Sequence, residues 1–138
     1  MRFMLDTNTL IYAFNQESEF HSDTNRLIKE CLLNEIPCFV LISSIKDAYY
    51  TLSRHYKSVG DAKRSAKLIF ELFYSVDLTN GLMALAFECD EADLEDAIIR
   101  AAAEQLKVDA IVSYDRRAFK NSSIKKVDAL QALEMIGR

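Results

Sequence analysis

Short apolar runs, each followed closely by a segment with helical signals, constrain the fold of this chain more than any other feature. The stronger runs are continuous rather than alternating with polar residues, as strands of a parallel sheet are when helices cover both faces. Strands that alternate with helices, joined by right-handed crossovers, predict an α/β fold in which a central parallel sheet lies in a three-layer α/β/α sandwich. The runs expected to form strands are Arg2–Leu5, Cys38–Ile42, Ser75–Leu78, Ala110–Ser113 and, with the weakest pattern, Ile124–Val127.

Capping residues and helical spacing place the helices between these runs. Ile45, Ala48 and Leu52, for example, recur at the spacing of one helical face. Ser, Thr and Asp are favoured N-caps because their side-chain oxygens accept hydrogen bonds from the first backbone N–H groups of a helix. The expected helices lie at Leu10–Phe14, at Phe20–Asn34, after the caps Ser43 and Ser44, from Ala62 to Phe73, from Thr79 to about Phe87, from Asp93 to about Lys107, and after Asp128.

Length and composition indicate one globular domain. The 138 residues fall within the roughly 100–200 residues of a typical domain, and we expect residues 1–138 to form a single domain. Only 3 Gly and 1 Pro are present, which argues against collagen-like, linker-like and turn-rich all-β chains. The formal net charge of −4 argues against a protein that coats nucleic acid by bulk positive charge.

The apolar runs and the cysteines bear on the compartment. The apolar run Cys38–Ile42 has five residues, far fewer than the roughly 20 of a membrane-spanning helix. The 3 cysteines are odd in number and form no C-x-x-C pair, so neither a disulfide scaffold nor a zinc ribbon is expected. We therefore expect a cytoplasmic protein without membrane contact.

Four acidic residues are expected at the carboxyl ends of the strands, where sites form in open parallel sheets. Asp6 and Asp115 follow predicted strands, Asp47 lies near the start of the helix after the second strand, and Asp96 lies in the first turn of the helix beginning after Asp93. Each acid also has a structural explanation as a cap, a turn residue or a solvated surface group. Four such coincidences on one rim are less plausible than one site.

Convergence of these acids would predict a cation site. Two carboxylates within about 5 Å repel by roughly 3 kcal/mol at an effective dielectric constant near 20, so such a cluster needs protons or a cation. Carboxylate oxygens without a His or Cys set suit Mg²⁺ or Mn²⁺. Such ions can activate water and stabilise a leaving oxygen, which is the chemistry of phosphodiester hydrolysis.

Four segments, in this order, resemble the PIN-domain ribonucleases, particularly the stand-alone VapC-like toxins of bacterial toxin–antitoxin pairs. Met4–Leu10 resembles the family's opening strand-and-acid motif, and Ser43–Tyr50 resembles a subgroup in which Ser-x-x-Asp-x-Tyr-Tyr supplies the second acid. Asp93–Ala97 resembles the segment of the third acid, and Ile111–Asp115 the closing segment. The resemblance covers nearly the whole chain and implies a PIN-like, Rossmann-like fold.

The resemblance implies catalytic and metal-ligating roles for the four acids. Asp6 and Asp96 would be the firmest ligands of Mg²⁺ or Mn²⁺. Asp47 stands where many members place a Glu, so its shorter side chain would bind through a bridging water. Asp115 stands where the subgroup often has Asn, and an acid there would bind or orient a second ion.

Supporting positions follow from the same resemblance. Asn8 and Ser113 resemble residues that hold the first carboxylate or hydrogen-bond water on the metal. Glu95 is a further supporting candidate, although its side chain starts about 100° round the helix from Asp96. Ala118 departs from the family, because relatives often carry an acid at this position.

Basic and aromatic residues near the expected site would bind RNA. Basic groups hold phosphates and exposed aromatic rings stack on unpaired bases. Tyr49 and Tyr56 share the apolar stripe of their helix and are expected in the core. The predicted RNA-binding residues are Arg116, Arg117 and Lys120 beside Asp115, and Arg54, Lys57 and Tyr50 on the helix that carries Asp47.

The leading hypothesis is a metal-dependent endoribonuclease that acts as the toxin of a type II toxin–antitoxin pair. It implies an RNA substrate, a cognate antitoxin whose tail covers the acidic groove, and a homodimer with an interface near Ile69–Tyr74. One alternative is a catalytically weak or inactive PIN-like module that binds RNA or a protein, since Asp47 and Ala118 depart from the family pattern. Another, ranked low, is an aspartate-based phosphatase, because Asn8 stands where that chemistry normally needs a second acid.

Overall fold

The computed structural model describes residues 1–56 and 58–137. Within these residues the chain forms five strands and seven helices, and strands are separated by helices except at the last strand pair. In chain order the elements are β1 (Phe3–Leu5), α1 (Thr7–Phe14), α2 (His21–Leu33), β2 (Cys38–Leu41), α3 (Ile42–Tyr56), α4 (Val59–Leu72), β3 (Tyr74–Val76), α5 (Asn80–Glu88), α6 (Leu94–Leu106), β4 (Ala110–Val112), β5 (Lys125–Val127) and α7 (Ala129–Ile136).

The strands form one parallel sheet in the order β3-β2-β1-β4-β5. β1 lies at the centre, and Met4 is in register with Phe39 on one side and Ile111 on the other. All three residues of β1 are fully buried, as expected for a parallel strand covered on both faces. The carboxyl ends of β1, β2 and β4 therefore meet at one edge of the sheet.

Side chains of β1 alternate between two apolar cores, which makes the fold three-layered. Phe3 and Leu5 belong to a core formed with residues of α1, α2, α3, α4 and α7. Met4 belongs to the opposite core, formed with α5 and α6. Alternate residues of a strand point to opposite faces, so helices cover both faces of the sheet. The predicted α/β/α sandwich with a central parallel sheet is confirmed.

Local capping signals are confirmed at three helix starts. The side chain of Thr79 accepts a hydrogen bond from the backbone N–H of Leu82 at the start of α5. Asp93 does the same for Asp96 at the start of α6. Asp128 and Gln131 form a reciprocal capping box at the start of α7, which satisfies backbone donors that the helix itself cannot.

The prediction that Ser43 and Ser44 cap the third helix is wrong. Helix α3 begins at Ile42, directly after the last residue of β2, so both serines lie within its first turn. Ser44 is fully buried and its hydroxyl lies 2.7 Å from the hydroxyl of Thr7 in α1. The Ser44 hydroxyl is therefore hydrogen-bonded to a residue of α1, whereas the sequence pattern predicted that it would bind the backbone at the start of its own helix.

Phe70 of α4 lies outside the core. Ile69 is fully buried in the core, as its helical spacing predicts, whereas Phe70 is 57% exposed. The helix ends at Leu72, and Phe73 is the capping residue with a buried side chain. Helix α4 therefore leaves an aromatic side chain uncovered on its outer face.

None of the helices in residues 1–56 and 58–137 combines the length and the hydropathy needed to cross a bilayer.

Replacing the cap of the last helix should destabilise the fold measurably. Asp128→Ala removes the acceptor of the Gln131 N–H and is expected to lower the free energy of unfolding by about 1 kcal/mol. Asp128→Asn keeps an acceptor and should remain within a few tenths of a kcal/mol of the wild type. Urea denaturation followed by circular dichroism measures both values, and equal stabilities of the Ala and Asn variants would contradict the assigned cap.

Candidate metal centre

Asp6 is held at the centre of the candidate site by the two middle strands. It directly follows β1, is almost wholly buried, and caps α1. Its Oδ1 accepts the backbone N–H of Thr7 at 2.7 Å, and its Oδ2 accepts the hydroxyl of Ser113 at 2.7 Å. Ser113 follows β4, the neighbour of β1, so the sheet register itself brings the two side chains together.

Helix α6 presents a second acid to the same place. Asp93 caps the helix, which puts Asp96 in its first turn. Burial, together with the nearby carboxylates of Asp6 and Asp93, raises the pKa of Asp96 to about 7. Burial also raises the pKa of Asp6 above its ordinary value, against the opposing effect of its bonds with Ser113 and Thr7. Ionising either acid is therefore less favourable here than in water, because the surrounding groups do not fully compensate the charge.

A hydrogen bond with Thr7 holds the Glu95 side chain in the site. The Thr7 hydroxyl lies 2.5 Å from Glu95 Oε1 and 2.7 Å from Ser44 Oγ. A carboxylate only accepts hydrogen bonds, and Thr7 has one hydroxyl proton, so Thr7 donates to Glu95 and accepts from Ser44. This chain of bonds turns Glu95 toward α1 and α3 although its side chain starts well round the helix from Asp96.

These side chains share a small polar cleft of about 250 Å³ at the carboxyl edge of the sheet. Four of its acids are those predicted from the sequence, and Asn8 and Glu95 also line it as expected. Thr7 and Thr51 were not predicted, and the one signal for Thr7 is its place directly after Asp6 at a strand end. The cleft is lined by Asp6, Thr7, Asn8, Ile11, Asp47, Thr51, Asp93, Glu95, Asp96 and Asp115.

Asp115 has a structural part as well as a place in the cleft. Its Oδ1 accepts the backbone N–H groups of Arg117 at 2.8 Å and Ala118 at 3.1 Å, which organise the loop after β4. Its own N–H donates to the hydroxyl of Ser113 at 3.1 Å. The two loop hydrogen bonds lower the pKa of the Asp115 carboxyl, so this acid is ionised when it faces the cleft.

The donor set fits a hard divalent cation. The cleft offers carboxylate, hydroxyl and amide oxygens, which Mg²⁺ and Mn²⁺ prefer, and a cation would relieve the repulsion that raises the pKa of Asp96. No group of three or more His, Cys, Asp or Glu side chains in the described part of the chain is arranged closely enough to hold an ion. The acids thus share a cleft without forming a closed coordination shell.

The predicted RNA-binding residues fall into two groups. Arg117 and Lys120 line a groove of about 450 Å³ that shares Asp96 and Asp115 with the cleft. Arg116 is exposed on the same loop. On α3, Tyr50 and Arg54 are exposed, and neither lines the cleft or the groove, while Lys57 lies outside the described residues.

Comparison with known proteins gives one family and several related folds. A model of the PIN domain family matches residues 2–117. The sequence has no significant match among curated proteins. The fold is similar to that of Mycobacterium tuberculosis VapC20, a toxin that cleaves the sarcin–ricin loop, with a TM-score of 0.66 at 15% identity over 82% of this chain and 89% of that one.

Two further similar structures come from complexes. For VapBC2 of Rickettsia felis bound to promoter DNA, the TM-score is 0.70 at 17% identity, over 93% of this chain and 98% of that one. For a toxin–antitoxin complex of Klebsiella pneumoniae, the TM-score is 0.65 at 14% identity, over 91% of this chain and 96% of that one. At these identities the likeness is one of fold.

The raised pKa of Asp96 predicts a pH dependence of stability without metal. The pKa of Asp96 is about 7 in the folded protein, against its ordinary value of 3.8 in the unfolded chain. Between these values the folded state binds the proton more tightly, so this group's contribution to the free energy of unfolding falls as pH rises. In EDTA, the stability of Asp96→Asn relative to wild type should therefore increase between about pH 4 and pH 7.

Urea titrations of both proteins across this range measure the difference. Adding Mn²⁺ should raise the stability of wild type more than that of Asp96→Asn, because a ligand that binds only the folded state stabilises it. A stability difference that does not change with pH would contradict the uncompensated charge at Asp96.

Proposed function

The chain belongs to the PIN domain family, and from this premise we propose that it is a metal-dependent endoribonuclease that hydrolyses RNA phosphodiester bonds. The proposal takes residues 1–138 as one PIN-like domain. The observation that carries it is the acidic cleft at the carboxyl edge of the sheet, where β1, α3, α6 and the loop after β4 each contribute an acid. A nuclease that uses divalent ions needs this concentration of carboxylates.

The four predicted acids are the proposed metal ligands and catalytic residues. Asp6, Asp47, Asp96 and Asp115 would hold one or two Mg²⁺ or Mn²⁺ ions, with Asn8, Ser113 and Glu95 in support. A divalent ion in the cleft supplies Lewis acidity toward a phosphate oxygen and a nucleophilic water at neutral pH.

The side chains of the cleft differ in how firmly they are held. Both oxygens of Asp6 are hydrogen-bonded, so its carboxylate has a set direction before any ligand arrives. Glu95 is held by Thr7, and Asp115 is held on one oxygen by its own loop. Asp6 is therefore the acid with the most firmly fixed orientation. Asp96, at the start of α6, is the acid whose charge a ligand must balance.

Substrate binding is proposed for the basic residues beside the cleft. The protein has a net charge of −4, so contacts with RNA phosphates must come from local groups. Arg117 and Lys120, which line the groove, are proposed to bind the phosphates next to the scissile bond. Further contacts along the RNA strand are proposed for Arg116, Arg54, Lys57 and Tyr50, and the ring of Tyr50 would stack on a base.

A toxin role and an antitoxin partner are supported by what the similar structures are. One is a toxin that cleaves the sarcin–ricin loop and two are toxin–antitoxin assemblies. We propose accordingly that this chain is the cytoplasmic toxin of a type II pair, and that its antitoxin covers the acidic groove.

A non-cutting PIN-like module that binds RNA or a protein is the second candidate. It is favoured by the open arrangement of the acids, since none of the described His, Cys, Asp and Glu side chains form a cluster ready to hold an ion. The use of Asp115 Oδ1 by loop N–H groups points the same way. Retained ion binding without turnover would distinguish this candidate.

The decisive experiment is cleavage of total RNA by wild type and Asp96→Asn. Wild type is expected to cut with Mn²⁺ or Mg²⁺ and not with EDTA. Asp96→Asn, which keeps the shape and removes one charge, should be slower by at least about a hundredfold. Asp61→Asn changes an exposed acid on α4 and serves as the matched control with unchanged cleavage.

The other outcomes decide between the candidates. Equal cutting by wild type and Asp96→Asn would show contamination or a misassigned site. No cutting by the folded wild type would contradict the nuclease and favour the binding module.

The proposed homodimer has a test of its own on α4. Phe70 is 57% exposed and Tyr74, nearby in the chain, is 62% exposed, so the Ile69–Tyr74 segment offers apolar surface although Ile69 and Phe73 belong to the core. Phe70→Glu should convert a dimer to a monomer, because it buries a charge at the interface. Phe87→Glu, at a phenylalanine of α5 that is 70% exposed, is the matched control and should stay dimeric.

Light scattering after size-exclusion chromatography measures the mass of each variant. A monomeric wild type, or a dimer that survives Phe70→Glu, would contradict the interface.

A further inference from the structure

Arg100 of α6 joins three segments of the chain through one buried side chain. It lies one helical turn after Asp96, and its side chain is only 12% exposed. Each of its three guanidinium nitrogens is used. Nε donates to Glu104 at 2.9 Å, Nη1 donates to Asp90 at 2.5 Å and to Glu91 at 3.2 Å, and Nη2 donates to the backbone carbonyl of Asn121 at 3.0 Å.

A second set of hydrogen bonds ties the same segments together. Glu91, which is 9% exposed, also accepts the backbone N–H of Phe119 at 3.1 Å. Asn121 donates its side-chain amide to Asp90 at 2.8 Å. The loop of residues 89–93 before α6 is thus bonded directly at two points to the loop of residues 113–124 between β4 and β5, and Arg100 bridges the two loops from α6.

The backbone of the second loop needs this support. Phe119 has a φ of 68°, in the left-handed region that costs a bulky residue free energy. Its side chain is buried in the core with α5 and α6, and its N–H is the donor to Glu91. The contacts with Glu91 and Arg100 therefore hold the loop in a conformation that it would not favour alone.

The bonded loops form the two walls of the groove beside the cleft. Asp90, Glu91 and Asp93 lie on one wall, and Arg117 and Lys120 lie on the other. Arg100 does not line the groove, but three of its partners do. The Arg100 guanidinium group lies outside the groove and is hydrogen-bonded to residues of both walls, so it determines the distance between them.

A different residue holds the beginning of the same loop. Lys126 of β5 donates to the backbone carbonyl of Asp115 and, at 2.9 Å, to that of Ala118. The position of Asp115 thus depends on Lys126, and the later part of the loop, near Lys120 and Asn121, depends on Arg100.

We propose that Arg100 is a positioning residue that fixes the loop of residues 113–124 against the loop of residues 89–93, and thereby sets the groove in which Arg117 and Lys120 contact RNA phosphates. The identity of the ligand rests on the proposed function, whereas the contact between the loops does not. Arg100 acts through its partners and touches neither the proposed metal ligands nor the RNA.

The chemistry of the network requires arginine. A guanidinium group presents five donors in a planar fork, while an ammonium group is a single point with three. Here one side chain serves three carboxylates and one carbonyl that approach from different sides. Removal of the guanidinium also leaves Glu104 of α6 and two acids of the loop of residues 89–93 without their cation, so their mutual repulsion favours movement of that loop away from α6.

The test compares wild type with Arg100→Gln and Arg100→Lys. The matched control is Arg64→Gln, at an arginine whose side chain is 75% exposed and paired with Asp61 on α4. Three quantities are measured on each protein: amide hydrogen exchange, the Kd for a fluorescein-labelled single-stranded RNA of mixed sequence in EDTA, and kcat and KM for cleavage with Mn²⁺.

Arg100→Gln is expected to speed amide exchange in residues 89–93 and 119–121 by about tenfold, with β2 unchanged. The Kd for the RNA and the KM should both rise by at least about fivefold, and kcat should change by less than about threefold, because phosphate contacts are displaced while the acids stay in place. For Arg100→Lys, the exchange rates, Kd and KM should lie between those of wild type and Arg100→Gln. For Arg64→Gln they should match wild type.

Three results would overturn the proposal. These are unchanged exchange in the two loops, faster exchange that extends equally to β2, and a loss confined to kcat with the RNA Kd intact. If Arg100→Gln does not fold, Glu91→Gln keeps an oxygen acceptor, removes one charge, and should produce a smaller change in the same two loops. A wild type that neither binds nor cuts RNA would refute the proposed function, and the exchange data alone would then decide the contact between the loops.

Discussion

The hydrogen bond between Ser113 Oγ and Asp6 Oδ2, 2.7 Å long, is the contact around which the rest of the site is arranged. It follows directly from the sheet, because Leu5 is in register with Val112 and the next residue on each strand is a partner in this bond. The backbone N–H of Asp6 also donates to the carbonyl of Val112 at 3.1 Å. A shift of one residue between β1 and β4 would turn the core side chains to the wrong faces, so the position of this carboxylate is as well determined as the core itself.

Placing acids there has a cost in stability that the cores on the two faces offset. Burial raises the pKa of Asp6, and burial with nearby charge raises that of Asp96 to about 7. Neither shift would arise in a chain selected for stability alone, since each marks a charge that folding makes harder to carry. Local departures from the rules of a stable fold are expected where a site binds a ligand. The same repulsion that weakens the folded protein makes a divalent cation a favourable ligand of the cleft.

Features that depend on neighbouring residues were predictable from the sequence, and those that depend on distant partners were not. The caps Thr79, Asp93 and Asp128 act within three residues of their own position, and all three were predicted. The strand-end acids were also predictable as a group, because parallel topology brings carboxyl ends to one edge. Ser44 was misread because its partner Thr7 is 37 residues away. Glu95 required the same threonine to show where it points, and no periodic pattern distinguishes Arg100 from a solvated arginine.

The acids and the groove are therefore supported by different parts of the fold. Asp6 depends on the central strands, whereas Arg117 and Lys120 depend on a loop that side-chain bonds from α6 and β5 hold in place. A substitution in the sheet would disturb the core and the acids together. A substitution at Arg100 would change the walls of the groove and leave the register of β1 and β4 intact. In a fold built this way, the walls of the groove can change through a few polar contacts behind the loops, without any change in the acids of the cleft.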